Sequence, residues 1–233
     1  MSRLNLSVGG TQLKLTYYIS RVVKTIKEGG VLLLLKRVAG YCAESNCAGW
    51  YERDLTLPIT DVSPEVPLLI DFDNFEKALD WFKSSDVRRW MHNAGEIAVS
   101  LRCGHRYPLV INNGTIVGCI KIGFHDFFIT DYTKAVHFSE KVAYHTDVYV
   151  EPEYRKKGIA RFLIVESMKH LKQKGFVKQL CHIPPWNQAS IAVHTALGFE
   201  KVGYIRCVRV FGLKLLFRRG KKIFRSGILT LSL

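Results

Sequence analysis

The stretch Asp147-Val-Tyr-Val-Glu-Pro-Glu-Tyr-Arg-Lys-Lys-Gly-Ile-Ala160 decides the fold of this chain. Val148 and Val150 read as an apolar strand. A sharp bend follows, carrying Arg155-x-x-Gly158-x-Ala160, and an amphipathic helix begins at its far side. The first turn of a helix has unpaired N–H donors and a partial positive charge, and a glycine there lets an anion approach the backbone. Lys156, Lys157 and Arg161 add full charges to the same turn. The pattern predicts a phosphate site between a strand and a helix.

Working outward, Ala160, Leu163, Ile164, Ser167, Met168 and Leu171 recur at helix spacing, and Lys174-Gly175 supplies a basic last turn and a stop. A second strand spans Val177 to Ile183. A second helix opens at Asn187 and closes at Leu197-Gly198-Phe199. These pieces together (Val148-Tyr-Val150, Arg155-x-x-Gly158-x-Ala160, Asn187-x-x-Ser190 and Leu197-Gly198-Phe199) resemble the GNAT superfamily of acyl-CoA-dependent N-acetyltransferases. The resemblance covers about seventy residues and rests on order and spacing as well as on each motif.

It implies an α/β (α+β) fold, a central mixed and mostly antiparallel sheet flanked by helices. It also implies acetyl-CoA, or another acyl-CoA, as co-substrate. The backbone of Val148, Tyr149 and Val150 would pair with the pantetheine arm, with a strand N–H near Val148 polarising the thioester. Arg155, Lys156, Lys157, Gly158, Ile159, Ala160 and Arg161 would take the pyrophosphate, and Asn187 and Ser190 would border the cofactor. The tyrosine that often protonates the leaving thiolate in this family is replaced here by His194. Histidine can serve as that acid near neutral pH, and it can equally be a packed helix residue.

Asn187, Ser190, His194 and Leu197 share one helix stripe, and Asn187 suits a helix cap. His145, Asp147 and Tyr149 alternate along the strand, so strict alternation puts them on one face. His145 or Asp147 is the candidate base for the amine proton. A hydrogen-bonded strand-end carboxylate is the plainer reading of Asp147.

Elsewhere the chain reads as residues 1–60, an N-terminal helical extension, and residues 61–233, the acyltransferase domain ending in a basic strand pair. Leu15 to Ile26 has helix spacing, Gly29-Gly30 breaks it, and an apolar-basic stretch runs from Val31 to Tyr41. Packing on the catalytic domain is preferred for these helices over a membrane-surface role. Val66 to Ile70 predicts a strand, Asn74 caps a helix through Phe82, and Val87 to Met91 predicts a short second helix. Tyr107–Ile111 and Thr115–Ile122 around Asn113-Gly114 predict a hairpin. Tyr204–Phe211 and Ile223–Leu231 predict the terminal strands.

The six cysteines are scattered, with no Cys-x-x-Cys pair, so reduced structural thiols and no metal site are expected. No apolar run is long enough to span a bilayer and no secretion signal is evident, which points to a cytoplasmic protein. The net charge is +14, and residues 141–233 alone carry eighteen basic and five acidic side chains. Arg218, Arg219, Lys221, Lys222 and Arg225 call for an anionic partner. The favoured acceptor is therefore the primary amine of a phosphorylated or sugar-type small molecule. The alternatives are a macromolecular acceptor (RNA, a ribosomal or carrier protein) and a non-catalytic CoA-binding regulatory module. Nucleic acid ranks below the small molecule, and peripheral contact with anionic lipid is a further alternative for the basic segment. The oligomeric state is open.

Overall fold

The protein is described from a computed structural model covering residues 31, 43–84, 94–129, 134–210, 213–220 and 229–231. The chain divides into two compact units, Met1–Ser45 with Cys207–Leu216, and Asn46–Arg206 with Phe217–Leu233. The larger one carries the motifs above.

The elements run in the order β1 (Ala43–Asp54), β2 (Leu69–Asp71), α1 (Phe75–Ser84), α2 (Ala94–Arg102), β3 (Leu109–Asn112) and β4 (Thr115–Phe124). Then come β5 (Asp126–Ile129), β6 (Lys134–Phe138), β7 (Val142–Val150), α3 (Ile159–Gln173), β8 (Lys178–Ile183) and α4 (Gln188–Ala196). The last are β9 (Glu200–Val210), β10 (Leu213–Arg219) and β11 (Leu229–Leu231). Within the larger unit the sheet order is β1-β8-β7-β4-β3-β2. The β1–β8, β2–β3, β3–β4 and β4–β7 pairs are antiparallel, while β7 and β8 are parallel. This is the mixed, mostly antiparallel sheet that the motifs imply.

Each face of the sheet has its own core. On one, Leu163, Ile164, Met168 and Leu171 of α3 pack with Ile120, Ile122, Ala143, Cys181, Ile183, Leu197 and Phe199. On the other, Ala78 and Phe82 of α1 and Ile97 and Leu101 of α2 pack on Tyr107, Leu109 and Cys119. The i, i+4 spacing of Ala78–Phe82 and Ile97–Leu101 makes each pair one helix stripe.

Local chemistry explains the boundaries. The Lys77 N–H donates to Asn74 Oδ1 (3.0 Å), so Asn74 caps α1. Asn113 and Gly114 have φ of 46° and 81°, the two left-handed residues that a type I′ hairpin turn needs. Helix α3 ends in a Schellman motif, with the Phe176 N–H donating to Leu171 O and the Gly175 N–H to Lys172 O, both at 3.0 Å.

The structure departs from the sequence reading in four places. Ala43–Asp54 is a strand, and its Gly49–Asp54 part pairs with β8, so this part of residues 1–60 is sheet rather than helical extension. Trp50 and Tyr51 are neighbours and both buried, so the alternation that marks a half-buried strand is missing there. A helix is described at Ala94–Arg102, where Gly95 argues against one on local propensity. Strands β5 and β6 form a second sheet with β11, in the order β11-β6-β5. The described end of the expected last strand, Leu229–Leu231, therefore pairs with β6 and not with β9. The expected helices at Leu15–Ile26 and Val87–Met91, and Lys221, Lys222 and Arg225, lie outside the described residues.

Candidate active site

Strands β7 and β8 part company in mid-course. Their parallel ladder runs from Val142↔Lys178 to His145↔Cys181 and ends there, although β7 continues to Val150 and β8 to Ile183. On its other side β7 stays paired with β4 as far as Gly118↔Val150. The β8-facing backbone edge of β7 beyond His145 is thus outside the ladder. An edge of that kind is a template for an extended chain.

A β-bulge marks the parting. Pairing shifts between Cys119↔Tyr149 and Lys121↔Thr146, so Asp147 and Val148 together oppose Ile120. Asp147 takes the extra turn with φ of 54°. One extra residue flips every side chain beyond it. His145, paired with Ile122, lies in ring contact with Phe199 in the α3–α4 core, whereas Tyr149 packs into the α1–α2 core and contacts Trp81. The expectation that His145, Asp147 and Tyr149 share a face is therefore corrected. Alternation holds only in an unbulged strand.

Beyond β7 the chain makes a 3₁₀ turn at Pro152–Tyr154 and enters the bend. Lys156 (φ 64°) and Gly158 (φ 77°) are both left-handed, and Gly158 is the N-cap of α3. No side chain caps this helix and no acidic residue occupies its first turn. Its leading N–H groups are thus left to water or to an anion. A Cβ built at Gly158 would meet only Pro64 Cα, at 3.8 Å, an ordinary van der Waals contact, so it is the left-handed φ and not crowding that favours glycine here. Lys156 and Arg161 are exposed, as is Arg155, whose Nε–H donates to Val150 O at 3.0 Å. Ile159 is buried and anchors the turn from beneath. Arg155, Lys156, Lys157 and Arg161 thus surround a helix N-terminus with positive charge, with Val150's carbonyl already engaged by Arg155.

Helix α4 brings the other candidates in. Asn187 caps it, accepting the Ser190 N–H at Oδ1 (3.2 Å). It ends in a second Schellman motif: the Phe199 N–H donates to His194 O and the Gly198 N–H to Thr195 O, both at 3.0 Å. Gly198 supplies the φ of 80° that this ending requires. The motif brings the Phe199 ring edge-on to the rings of both His194 and His145. Leu197-Gly198-Phe199 therefore acts on the site as well as on the helix.

His194 and His145 meet here. Their Nε2 atoms are 2.8 Å apart and their rings stack, although 49 residues separate them in sequence. The tautomers follow from chemistry. His194 Nδ1 lies 2.7 Å from Ser190 O, and a carbonyl only accepts, so Nδ1 carries a proton. In a neutral ring Nε2 is then the acceptor, and His145 must donate to it through Nε2–H. That leaves His145 Nδ1 with a lone pair, buried and without a hydrogen-bond partner among the described residues. Burial pushes the pKa of both rings down, for His145 well down, with the charges of His194 and His182 adding to the effect. Both are neutral at pH 7.

Asp147 is half-buried at the bulge and accepts from Thr146 Oγ1 (3.3 Å). Tyr149 donates its OH to Glu151 Oε2 (2.8 Å), and burial together with that carboxylate pushes its pKa up to about 12. His182, which has no catalytic spacing in sequence, hydrogen-bonds Tyr144 and lies in ring contact with Trp50. The histidine pair itself is not legible in the sequence as a pair, since no local spacing joins residues 145 and 194.

A family model described as the acetyltransferase (GNAT) family matches residues 75–199, more than half of the chain. The chain belongs to this family. Two curated relatives are the aminoglycoside N(6')-acetyltransferases type 1 of Salmonella typhimurium and Salmonella enteritidis. Each is 34% identical over 83 residues, covering 35% of this chain and 57% of the relative, so the chain spans little more than half of their length. Among solved structures, a Drosophila protein aligns over 79% of this chain and 58% of its own at 12% identity, with a TM-score of 0.51. A GCN5-related glucosamine N-acetyltransferase region of a fungal multi-domain GH3 β-N-acetylglucosaminidase aligns over 74% of this chain and 22% of its own, at 14% identity and a TM-score of 0.51. These two likenesses establish the fold.

Proposed function

We propose that the protein transfers an acetyl or other acyl group from acyl-CoA to a primary amine. The observation that carries this reading is the parted β7–β8 pair leading directly into an uncapped, cationic helix N-terminus. An extended pantetheine arm fits against the Asp147–Val150 edge of β7, and the pyrophosphate fits the Arg155–Arg161 bend. In the reaction the amine nitrogen attacks the thioester carbonyl, and a strand N–H near Val148 stabilises the oxyanion. The C–S bond then breaks, one proton leaves the amine, and one reaches the thiolate.

His194 is the candidate acid in this scheme, and His145 is a positioning residue. The neutral His194 ring first takes up a proton at Nε2, in place of the His145 hydrogen bond, and then passes it to the thiolate. His145 is only 1% exposed and directs its Nε2–H at His194, so it holds the His194 ring and does not meet the amine itself. Asp147, half-buried where the strands part, is the candidate base, acting directly or through water. A second reading, a CoA-binding module without turnover, has its own support: both ring nitrogens of His194 are engaged by protein groups.

The acceptor we propose is an amino sugar with a single amine, or its phosphate. The curated relatives are named for aminoglycosides, which are polycations, and a chain of net charge +14 repels a polycation. Arg218 and Arg219, both exposed on β10, are the described part of the basic segment that would attract a phosphate. Screening acetyl-CoA with a panel of amino sugars, their phosphates, polyamines and aminoglycosides for thiol release tests the scheme. Release with an amino sugar or its phosphate supports it. Tight CoA binding with no release from any amine supports the non-catalytic module.

A further inference from the structure

Helix α4 and the parallel β7–β8 ladder bring together three residues that the sequence keeps apart. His145 and Cys181 are register partners, so their side chains leave the sheet on the same face. His194 meets them from the last turn of α4. One ligand atom from each lies within 4.8 Å of the others, and the three residues are 1%, 2% and 3% exposed. Two imidazoles and a thiol at this spacing are a soft nitrogen–sulfur donor set, which suits Zn²⁺ or Co²⁺ and not Mg²⁺ or Ca²⁺.

The two Nε2 atoms already face each other at 2.8 Å, and the buried Cys181 thiol is the third donor beside them. We infer that His145, Cys181 and His194 form a buried binding site for a single soft divalent cation, with Zn²⁺ as its natural occupant.

The ion and the histidine–histidine hydrogen bond exclude each other. Nε2 atoms at 2.8 Å are closer than two nitrogen ligands on a tetrahedral zinc, which lie about 3.3 Å apart for Zn–N bonds of about 2.0–2.1 Å. His145 offers Nε2, the atom that faces His194, once its proton moves from Nε2 to Nδ1, a change of tautomer that leaves the ring neutral. His194 offers Nε2 once it stops accepting from His145. Cys181 is a free thiol whose pKa burial holds well above its ordinary value, so it binds by releasing its proton to solvent as the metal–sulfur bond forms. One proton leaves per ion, no electron moves, and the site keeps a net charge of +1. Bound metal would hold His194 away from a leaving thiolate and so inhibit the acyl transfer proposed above. Only that consequence rests on the proposed function.

The test is a Co²⁺ titration of the full chain after chelator treatment, read by the cobalt–thiolate charge-transfer absorption. It needs neither CoA nor acceptor, so it stands whether or not acyl transfer is found. We expect one equivalent per chain, displacement by Zn²⁺, and loss of the band in Cys181→Ser. The exposed Cys103 is the control, and Cys103→Ser should keep the band. His194→Gln, checked for native circular dichroism, should weaken binding at least tenfold and covers the case in which Cys181→Ser does not fold. An absent band in the wild type, a band that survives Cys181→Ser, or unchanged affinity in His194→Gln overturns the site.

Discussion

The bend at Arg155–Arg161 and the His145–His194 pair lie at the two ends of one candidate site and are built in opposite ways. The bend is seven consecutive residues, largely exposed, with its donors supplied by backbone. The histidine pair is nearly sealed from water, joins residues 49 apart, and meets through two side chains. Consecutive residues can be read as a unit from the order of amino acids alone. A pair made by a parallel ladder and a helix end cannot. The same contrast predicts different behaviour under mutation: changes at the bend alter affinity, and changes at the pair alter turnover.

The largest expected effect is on turnover. With the amino sugar acceptor, His194→Phe should lower kcat by about 10²–10⁴-fold, the usual range for a lost general acid, and leave the Kd for acetyl-CoA nearly unchanged. Steady-state kinetics beside calorimetry check this. Full turnover in the variant would leave His194 as a packing residue and erase the contrast between the two ends.

A second prediction addresses the bulge between them. A Cβ at Gly118 would sit 2.6 Å from Tyr149 O, a backbone atom with no freedom to swing away. Gly118→Ala should destabilise the fold by about 1–3 kcal/mol, the usual cost of forcing an extra methyl into packed structure. Because Gly118 pairs with Val150, the same variant should also weaken CoA binding. Denaturant melts and calorimetry together give the result. Lost stability with unchanged CoA affinity would separate the bulge from the binding edge.

How much of this is legible in the sequence follows from where the signals sit. Asn187 and Gly198 are readable because capping chemistry is local, as is the Asn113-Gly114 turn. The helix α1 that builds the sheet's second core is readable from Phe75 to Phe82, while Gly95 conceals α2. The bulge at Asp147 leaves no mark in the apolar pattern, since Tyr144 to Val150 alternates whether or not a residue is inserted. That one insertion decides that Tyr149 faces α1 while His145 faces α4. Cys181 reads correctly as a buried thiol. Its nearness to two histidines comes only with the parallel register.

The smallest effect concerns acid stability, and it lies on the face opposite the histidine pair. His105 is buried beside the Phe127 ring, and burial, with the charges of Lys121 and Arg106, lowers its pKa to about 4. The folded protein keeps this ring neutral while the unfolded chain binds a proton below about pH 6.5, the ordinary value. Its contribution is therefore fully present above pH 6.5 and is lost as pH falls towards 4. Replacing it by His105→Gln should flatten the pH dependence of the melting temperature between those values. An unchanged slope would assign the acid sensitivity of the fold to other groups, His145 and His194 first among them.

The proposed acyl-CoA site is the bend together with the parted strands. Calorimetric titration of acetyl-CoA into the wild-type chain and into Gly158→Glu tests it without any acceptor. The variant places a carboxylate where phosphate would sit, at a left-handed position that costs a non-glycine residue about 1–2 kcal/mol, so circular dichroism should stay close to native while affinity falls. One site per wild-type chain is expected, with a loss of about 10–100-fold or more in the variant, the worth of one or two charge-assisted hydrogen bonds to phosphate. Equal affinity in a natively folded Gly158→Glu, or no binding by the wild type, would contradict it.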